Sequence, residues 1–355
     1  MTEIVRWTDR GLYCEAGDFY IDPRRKAPKA VVTHAHTDHA RPGCERYLTA
    51  DAGLHVLRAR LGAACAIGTL RFGETLRINN VRLSFHPAGH ILGSAQVRLE
   101  VGGEVVVISG DYKLQLDPTC SAFEPLRCRT FITESTFALP GTIWPAVDEV
   151  VAAIHARWRE NQADQRTTVL FAYSLGKTQR VLAHLDANVG PIYVTPEAQR
   201  FVEAYAASGV PLPRVELVEP YRVRATRGRA LVIASPAASR DRAWLKKLGR
   251  ISSALVSGWA KIDTADQLFP VSSGFALSDH ADWPGLLTAI DATGAESIGA
   301  MHGYTANLIS HLAATGRDAW RVEPPRGDRA ADANSAQDAG LFTAGRSVQA
   351  EVADL

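Results

Sequence analysis

The chain is predicted to be an α/β protein with its chemistry gathered along one edge of a sheet. Three observations predict this. Short apolar runs repeatedly end in histidine or a carboxylate. One such end carries four metal-ligand residues within six positions. Between residues 141 and 270, strand-like runs alternate with helical ones, the pattern of a parallel α/β unit.

The densest signal is Val31-Val32-Thr33-His34-Ala35-His36-Thr37-Asp38-His39. Lys29 to Thr33 reads as a short buried strand, because Val-Val-Thr favours extended backbone. H-x-H-x-D-H then falls on the loop leaving it. In extended backbone, residues i and i+2 share a side, so His34 and His36 can reach one ion together. Asp38 and His39 follow the turn and can reach a second ion. Imidazoles and carboxylates suit zinc, with manganese and iron served by the same donors. The competing reading is a solvated loop with chance histidines.

Composition sets limits. The 355 residues are enough for about two domains. A hydrophobic share of 46% and a charged share of 22% are ordinary for a globular protein. Net charge is +1, so nucleic acid would have to be held by local patches rather than by a global basic field. Cys14, Cys44, Cys65, Cys120 and Cys128 are odd in number and lack C-x-x-C spacing. They read as reduced thiols of a cytoplasmic protein. Charged residues in the first ten positions exclude a signal-peptide core, and no apolar run is long enough to span a membrane.

Taken in order, Asp18 to Asp22 reads as a short strand stopped by Pro23. Asp22 at its end could orient a ligand histidine. Ala50 to Leu61 is predicted helical and Val81 to His86 a strand. His90 follows in Pro87-Ala88-Gly89-His90-Ile91-Leu92-Gly93-Ser94. Ala95 to Val101 and Glu104 to Ser109 form a hairpin across Gly102-Gly103. It ends in Ser109-Gly110-Asp111, so His90 and Asp111 repeat the strand-end placement of His34. Arg129 to Thr133 is a further strand, ending at Glu134.

The pattern then changes. A helix runs to about Arg159. The next segments are Thr168–Ala172 (strand), Lys177–Leu185 (helix), Pro191–Thr195 (strand), Pro196–Ala207 (helix), Ala230–Ala234 (strand) and Arg240–Leu248 (helix). Phe171-Ala172-Tyr173-Ser174-Leu175-Gly176-Lys177-Thr178 joins strand to helix through a glycine turn. Helix-start amides there could bind phosphate, with Lys177 adding charge; the spacing is not that of a P-loop. An ordinary βα turn is the equal alternative. Later, His280 lies between Asp279 and Asp282, and His302 follows a short apolar stretch. From Pro324 onward little apolar pattern remains, which suggests a flexible tail.

Together, HAHTDH, His90 in PAGHILGS and Asp111 in SGD resemble the metallo-β-lactamase superfamily. Glu134 in TEST, His280 in LSDHAD and His302 in MHG resemble its β-CASP nucleic-acid-processing branch. The resemblance covers about residues 10–315. It implies an αββα sandwich built from 1–140 and 271–323, with a β-CASP domain inserted at 141–270 and a tail at 324–355. It also implies two metal ions: His34, His36 and His90 on one, Asp38, His39 and His302 on the other, Asp111 bridging and Asp22 in support. Glu134 and His280 would pair near the scissile phosphate.

YSLGK at 173–177 is similar to the loop with which Artemis-like nucleases hold a 5′-phosphate, through Ser174, Gly176, Lys177 and Thr178. Gln179-Arg180 is closer to the RNA-processing pattern. The mixture resembles the compact bacterial DNA-ligase-associated exonucleases. The implied function is a two-metal DNA exonuclease in repair, acting from 5′-phosphorylated single-stranded ends. The implied partners are end-containing DNA, a DNA ligase and other repair proteins, with no membrane. A β-CASP ribonuclease is the alternative.

Overall fold

A computed structural model of the chain describes residues 4–262 and 273–323. The boundary expected near 270 and the tail expected from Pro324 lie outside the described residues.

The first seventy residues build a six-stranded sheet. Its strands are β1 (Arg6–Thr8), β2 (Gly11–Cys14), β3 (Phe19–Ile21), β4 (Lys29–Val31), β5 (Arg46–Ala50) and β6 (Ile67–Leu70), side by side in that order. The first two pairings are antiparallel and the other three parallel. β7 (Thr75–Ile78), β8 (Val81–Pro87), β9 (Ala95–Val101), β10 (Glu104–Ile108) and β11 (Thr130–Glu134) begin a second sheet. Val81, Leu83, Phe85, Val97 and Leu99 from this sheet meet Leu12, Phe19, Ile21 and Val31 from the first in one buried core. Alternation along β8 and β9 puts these side chains on one face.

The chain then leaves to build a third sheet, entirely parallel, from β12 (Thr167–Phe171), β13 (Ile192–Val194), β14 (Glu216–Leu217), β15 (Leu231–Ala234), β16 (Ile251–Val256) and β17 (Gly274–Phe275). Every residue of β12 and β15 is buried, as expected of parallel strands covered on both faces. Helices α2 (Val147–Ala163), α3 (Lys177–His184) and α4 (Pro196–Ala207) belong to this unit. On its return the chain adds β18 (Ser297–Met301) and β19 (Asp318–Arg321) to the second sheet, with β18 beside β11.

Helices Trp283–Thr293 and Thr305–Ala314 cover the outer face of the second sheet through Leu286, Ile290, Leu308 and Leu312. Helix α1 (Leu54–Leu61) covers the first sheet with Val56 and Leu57, and Phe201 and Tyr205 of α4 join the same cluster. The layers therefore run helix, sheet, sheet, helix, with the third sheet's unit resting on one outer layer. No helix among the described residues is long and apolar enough to cross a membrane.

Two predicted helices are shorter than expected. Ala50 closes strand β5, and Asp51–Gly53 forms a 3₁₀ turn before α1. Pro236–Arg240 is also 3₁₀, and the α-helix starts only at Arg242. The cause is Asp241, whose side chain caps the helix by accepting from the Trp244 N–H at 2.9 Å.

Candidate metal centre

The parallel strands β3, β4, β10, β11 and β18 all deliver their ends to one region. Asp22, His34, Asp111, Glu134 and His302 sit at or just beyond those ends, and β8 brings His90 to the same edge. Gly110 lets Asp111 come close: it adopts φ +56°, and a Cβ there would lie 2.8 Å from Thr33 Cβ.

Two ligand groups share Asp111. His34, His36, His90 and Asp111 form the first; His39, Asp111 and His302 form the second. Asp111 Oδ2 lies 3.5 Å from His34 Nε2, 3.7 Å from His90 Nε2 and 3.5 Å from His39 Nε2. Asp38 stands beside the second group, 3.6 Å from His39 Nε2.

The outer ring nitrogens explain why this fits cations. His36 Nε2 donates to the Leu175 carbonyl at 3.2 Å, and His90 Nδ1 to the Asp279 carbonyl at 2.6 Å. His39 Nδ1 faces Asp22 Oδ2 at 2.7 Å. Thr33 Oγ1 donates to Asp22 at 2.6 Å, so at 3.1 Å it accepts from His34 Nδ1. In His34, His36 and His90 these partners leave the inner nitrogens as acceptors. Yet His36 Nδ1 is only 3.1 Å from His34 Nε2 and 3.0 Å from His90 Nε2. Acceptor nitrogens that close need a cation between them. His39 Nε2 is likewise buried without a hydrogen-bond partner. Nitrogen and carboxylate donors of this kind suit divalent ions of the zinc class.

Electrostatics agree. Burial, reinforced by neighbouring imidazoles, holds His34 and His90 well below the usual histidine range, and burial also lowers His36. These three are neutral ligands at neutral pH. His39 goes the other way. Burial lowers it, but the Asp111, Asp38 and Asp22 carboxylates outweigh burial and hold it well above its usual value.

Glu134 and His280 form the expected pair, with His280 Nδ1 2.9 Å from Glu134 Oε2. Glu134 also accepts from the Tyr112 N–H at 2.7 Å, and together with Asp111 the pair makes a third close group. Burial lowers His280, but Glu134, then Asp111 and Asp279, raise it to about 9.

The YSLGK loop is tied to its surroundings by specific contacts. Lys177 is buried and ion-paired with Asp279 at 2.8 Å. The Thr178 hydroxyl donates to the Tyr173 carbonyl, the Gly176 N–H donates to Gln179 Oε1, and the Ser174 carbonyl accepts from Gln179 Nε2. The Lys177 charge is thus directed at Asp279, and the Gly176 N–H and Thr178 hydroxyl are bonded within the turn. Burial of Arg180 and of the Lys113–Asp117 pair was also unread. Nothing in their local sequence separates them from surface charges.

No family model matches the chain. Among curated proteins, one from Opitutus terrae named "Probable DNA ligase" is 30% identical over 351 residues, taking in 93% of this chain and 34% of that one. "Endoribonuclease YSH1" of Candida albicans is 29% identical over 153 residues, 39% of this chain and 17% of its own. "Transcription termination factor FttA" of Pyrococcus horikoshii is 34% identical over 140 residues, 36% of this chain and 20% of its own. The chain is related to the β-CASP nucleases of the metallo-β-lactamase superfamily. It spans about a third of the first relative's length and a fifth or less of the other two. A solved structure described as a protein of unknown function from Enterococcus faecalis shares the fold, with TM-score 0.58 and 13% identity over 84% of this chain and 80% of that one.

Proposed function

We propose that the chain is a two-metal phosphodiesterase, a DNA exonuclease acting in repair from 5′-phosphorylated single-stranded ends. In this reading its layers are those of the metallo-β-lactamase sandwich, and residues 141–270 are the inserted β-CASP domain. The observation that carries the reading is the single Asp111 carboxylate shared by two imidazole groups and facing the Glu134–His280 pair.

His34, His36, His90 and Asp111 would hold one divalent ion; Asp38, His39, His302 and Asp111 would hold the other. Zinc is favoured, with manganese or iron served by the same donors. Such a pair supplies Lewis acidity at a phosphate and acidifies an attacking water. The chain's own residues do the rest. Asp22 orients His39. Asp38 and Asp111 place negative charge where the cations are needed. His280, kept protonated by Glu134, is placed to give its proton to the leaving oxygen.

DNA as substrate is supported by the relative that takes in most of this chain, which is named for DNA ligation. A ligase is accordingly the proposed partner. RNA is the second reading, supported by the endoribonuclease and the transcription termination factor, whose similarity reaches about two fifths of this chain or less. Four internally labelled strands, DNA and RNA with 5′-phosphate or 5′-hydroxyl, decide between the two. Each is incubated with zinc or manganese, with Asp111→Ala as control. Short products from phosphorylated DNA, absent in the variant, support the exonuclease; internal cuts in RNA alone overturn it.

A further inference from the structure

The outer nitrogen of one first-group ligand is held by the third sheet's unit, and that of another by the segment that follows β17. His36 donates to the carbonyl of Leu175, in the turn between β12 and α3. The following Gly176 adopts φ +84°, and a Cβ there would lie 2.3 Å from Ile91 Cγ2. This turn is thus pressed against the residue next to His90. His90 in turn donates to the carbonyl of Asp279.

Asp279 is itself clamped. Its carboxylate lies 2.8 Å from Lys177 Nζ and 3.2 Å from Arg180 Nη1. Lys177 and Arg180 are three apart on α3 and so share a face. Arg180 also donates to the Ser278 carbonyl and reaches Gln115 Oε1 at 3.3 Å and Asp117 at 3.5 Å. On the far side, Lys113 Nζ donates to the Gly89 and His90 carbonyls at 2.5 and 2.6 Å and pairs with Asp117 at 3.0 Å. All five charged side chains are at most 7% exposed. Charges buried this deeply are tolerated only while paired, which makes the arrangement specific rather than adaptable.

We infer that Lys177 and Arg180 are positioning residues: they fix Asp279, and through its carbonyl His90, so that the His34–His36–His90–Asp111 group is complete only while the third sheet's unit is docked. The inference rests on the metal-binding part of the function proposed above, and not on nuclease activity. It assigns α3 to assembly of the ion site instead of to substrate. By reciprocity, an ion bound there must tighten the docked contact.

The test is zinc binding to the full chain, read by competition with a chromophoric chelator and by elemental analysis. It uses Lys177→Met, Asp279→Asn and the double variant, with folding checked by circular dichroism. Supporting groups behind a ligand typically contribute about 10–100-fold in metal affinity. Each single variant is expected to weaken one of two zinc ions by that factor and spare the other. The double variant should be no worse than the weaker single. Folded variants that bind both ions as the parent does, or weaken both equally, overturn the inference. Should the variants not fold, hydrogen exchange of the parent answers the same question. Zinc should slow exchange in 174–182 and 278–280, and unchanged exchange there overturns the linkage. A chain that binds zinc in this linked way yet cuts no nucleic acid refutes the nuclease and leaves the positioning role standing.

Discussion

Glu134 Oε2 lies 2.9 Å from His280 Nδ1, and the carboxylate is almost wholly buried while the imidazole keeps a partly open face. The pair is asymmetric: the buried member supplies charge, and the other keeps an accessible edge. Raised to about 9, His280 keeps its proton through neutral pH and loses it only above that value. A rate that needs the protonated form should therefore hold to about pH 9 and then fall. Glu134→Gln removes the largest stabilising charge, so the alkaline limb should move toward the ordinary histidine value of roughly 6.5. A pH–rate profile checks this, and an unmoved limb would contradict the acid role.

Asp111 serves both ligand groups. Its replacement by alanine should cost more than one ion. Since even supporting groups are worth about 10–100-fold in affinity, Asp111→Ala should lose at least about a hundredfold at both positions. Elemental analysis after dialysis reads this directly; retention of one full equivalent would contradict the sharing.

Asp22 accepts from the Thr33 N–H at 2.8 Å and the Thr33 hydroxyl at 2.6 Å while facing His39 Nδ1. Asp22→Asn should weaken the ion on His39 about 10–100-fold and leave the first group's ion largely intact. Stepwise zinc titration distinguishes the two.

His39 is held protonated by its carboxylates when no ion is present. Its proton must leave when Nε2 takes a cation. Zinc binding should therefore release protons near neutral pH. Affinity should rise with pH until His39 titrates, and fall on acidification. Calorimetry in buffers of different ionisation heat counts the protons, and a count of zero would contradict this reading.

Phe85 is fully buried where the two sheets meet. Phe85→Ala should destabilise the fold by about 3–5 kcal/mol. Urea unfolding measures it, and a loss below about 1 kcal/mol would mean the core closes over the gap.

Much of the architecture was legible because strong periodicity survived in short segments. Ala95–Val101 and Pro196–Ala207 are found as read. The early strands Arg6–Thr8 and Gly11–Cys14 were missed, being three and four residues long with no sustained alternation. So was Ile251–Val256, whose two serines dilute its apolar run. His34, His36, His90 and Asp111 could be proposed together because side-chain chemistry and strand ends are both visible in a sequence. The Leu175 carbonyl behind His36 was not, since any residue supplies a carbonyl. The burial of Lys177 was not legible either, because lysine is rarely buried; its tertiary partner Asp279 accounts for it.

The placement of β18 beside β11 has a consequence for how the molecule is made. Ser135 and Met301 touch, yet stand 166 positions apart in the chain. At synthesis rates of roughly 5–20 residues per second, that gap corresponds to roughly ten to thirty seconds. Throughout that interval β11 is an unfinished sheet edge, and His302 has not yet been translated. The intervening parallel unit has time to fold first, so the centre would be completed late in biogenesis. A nascent chain stalled before residue 297 would carry a bare strand edge, the kind of surface that recruits chaperones or aggregates.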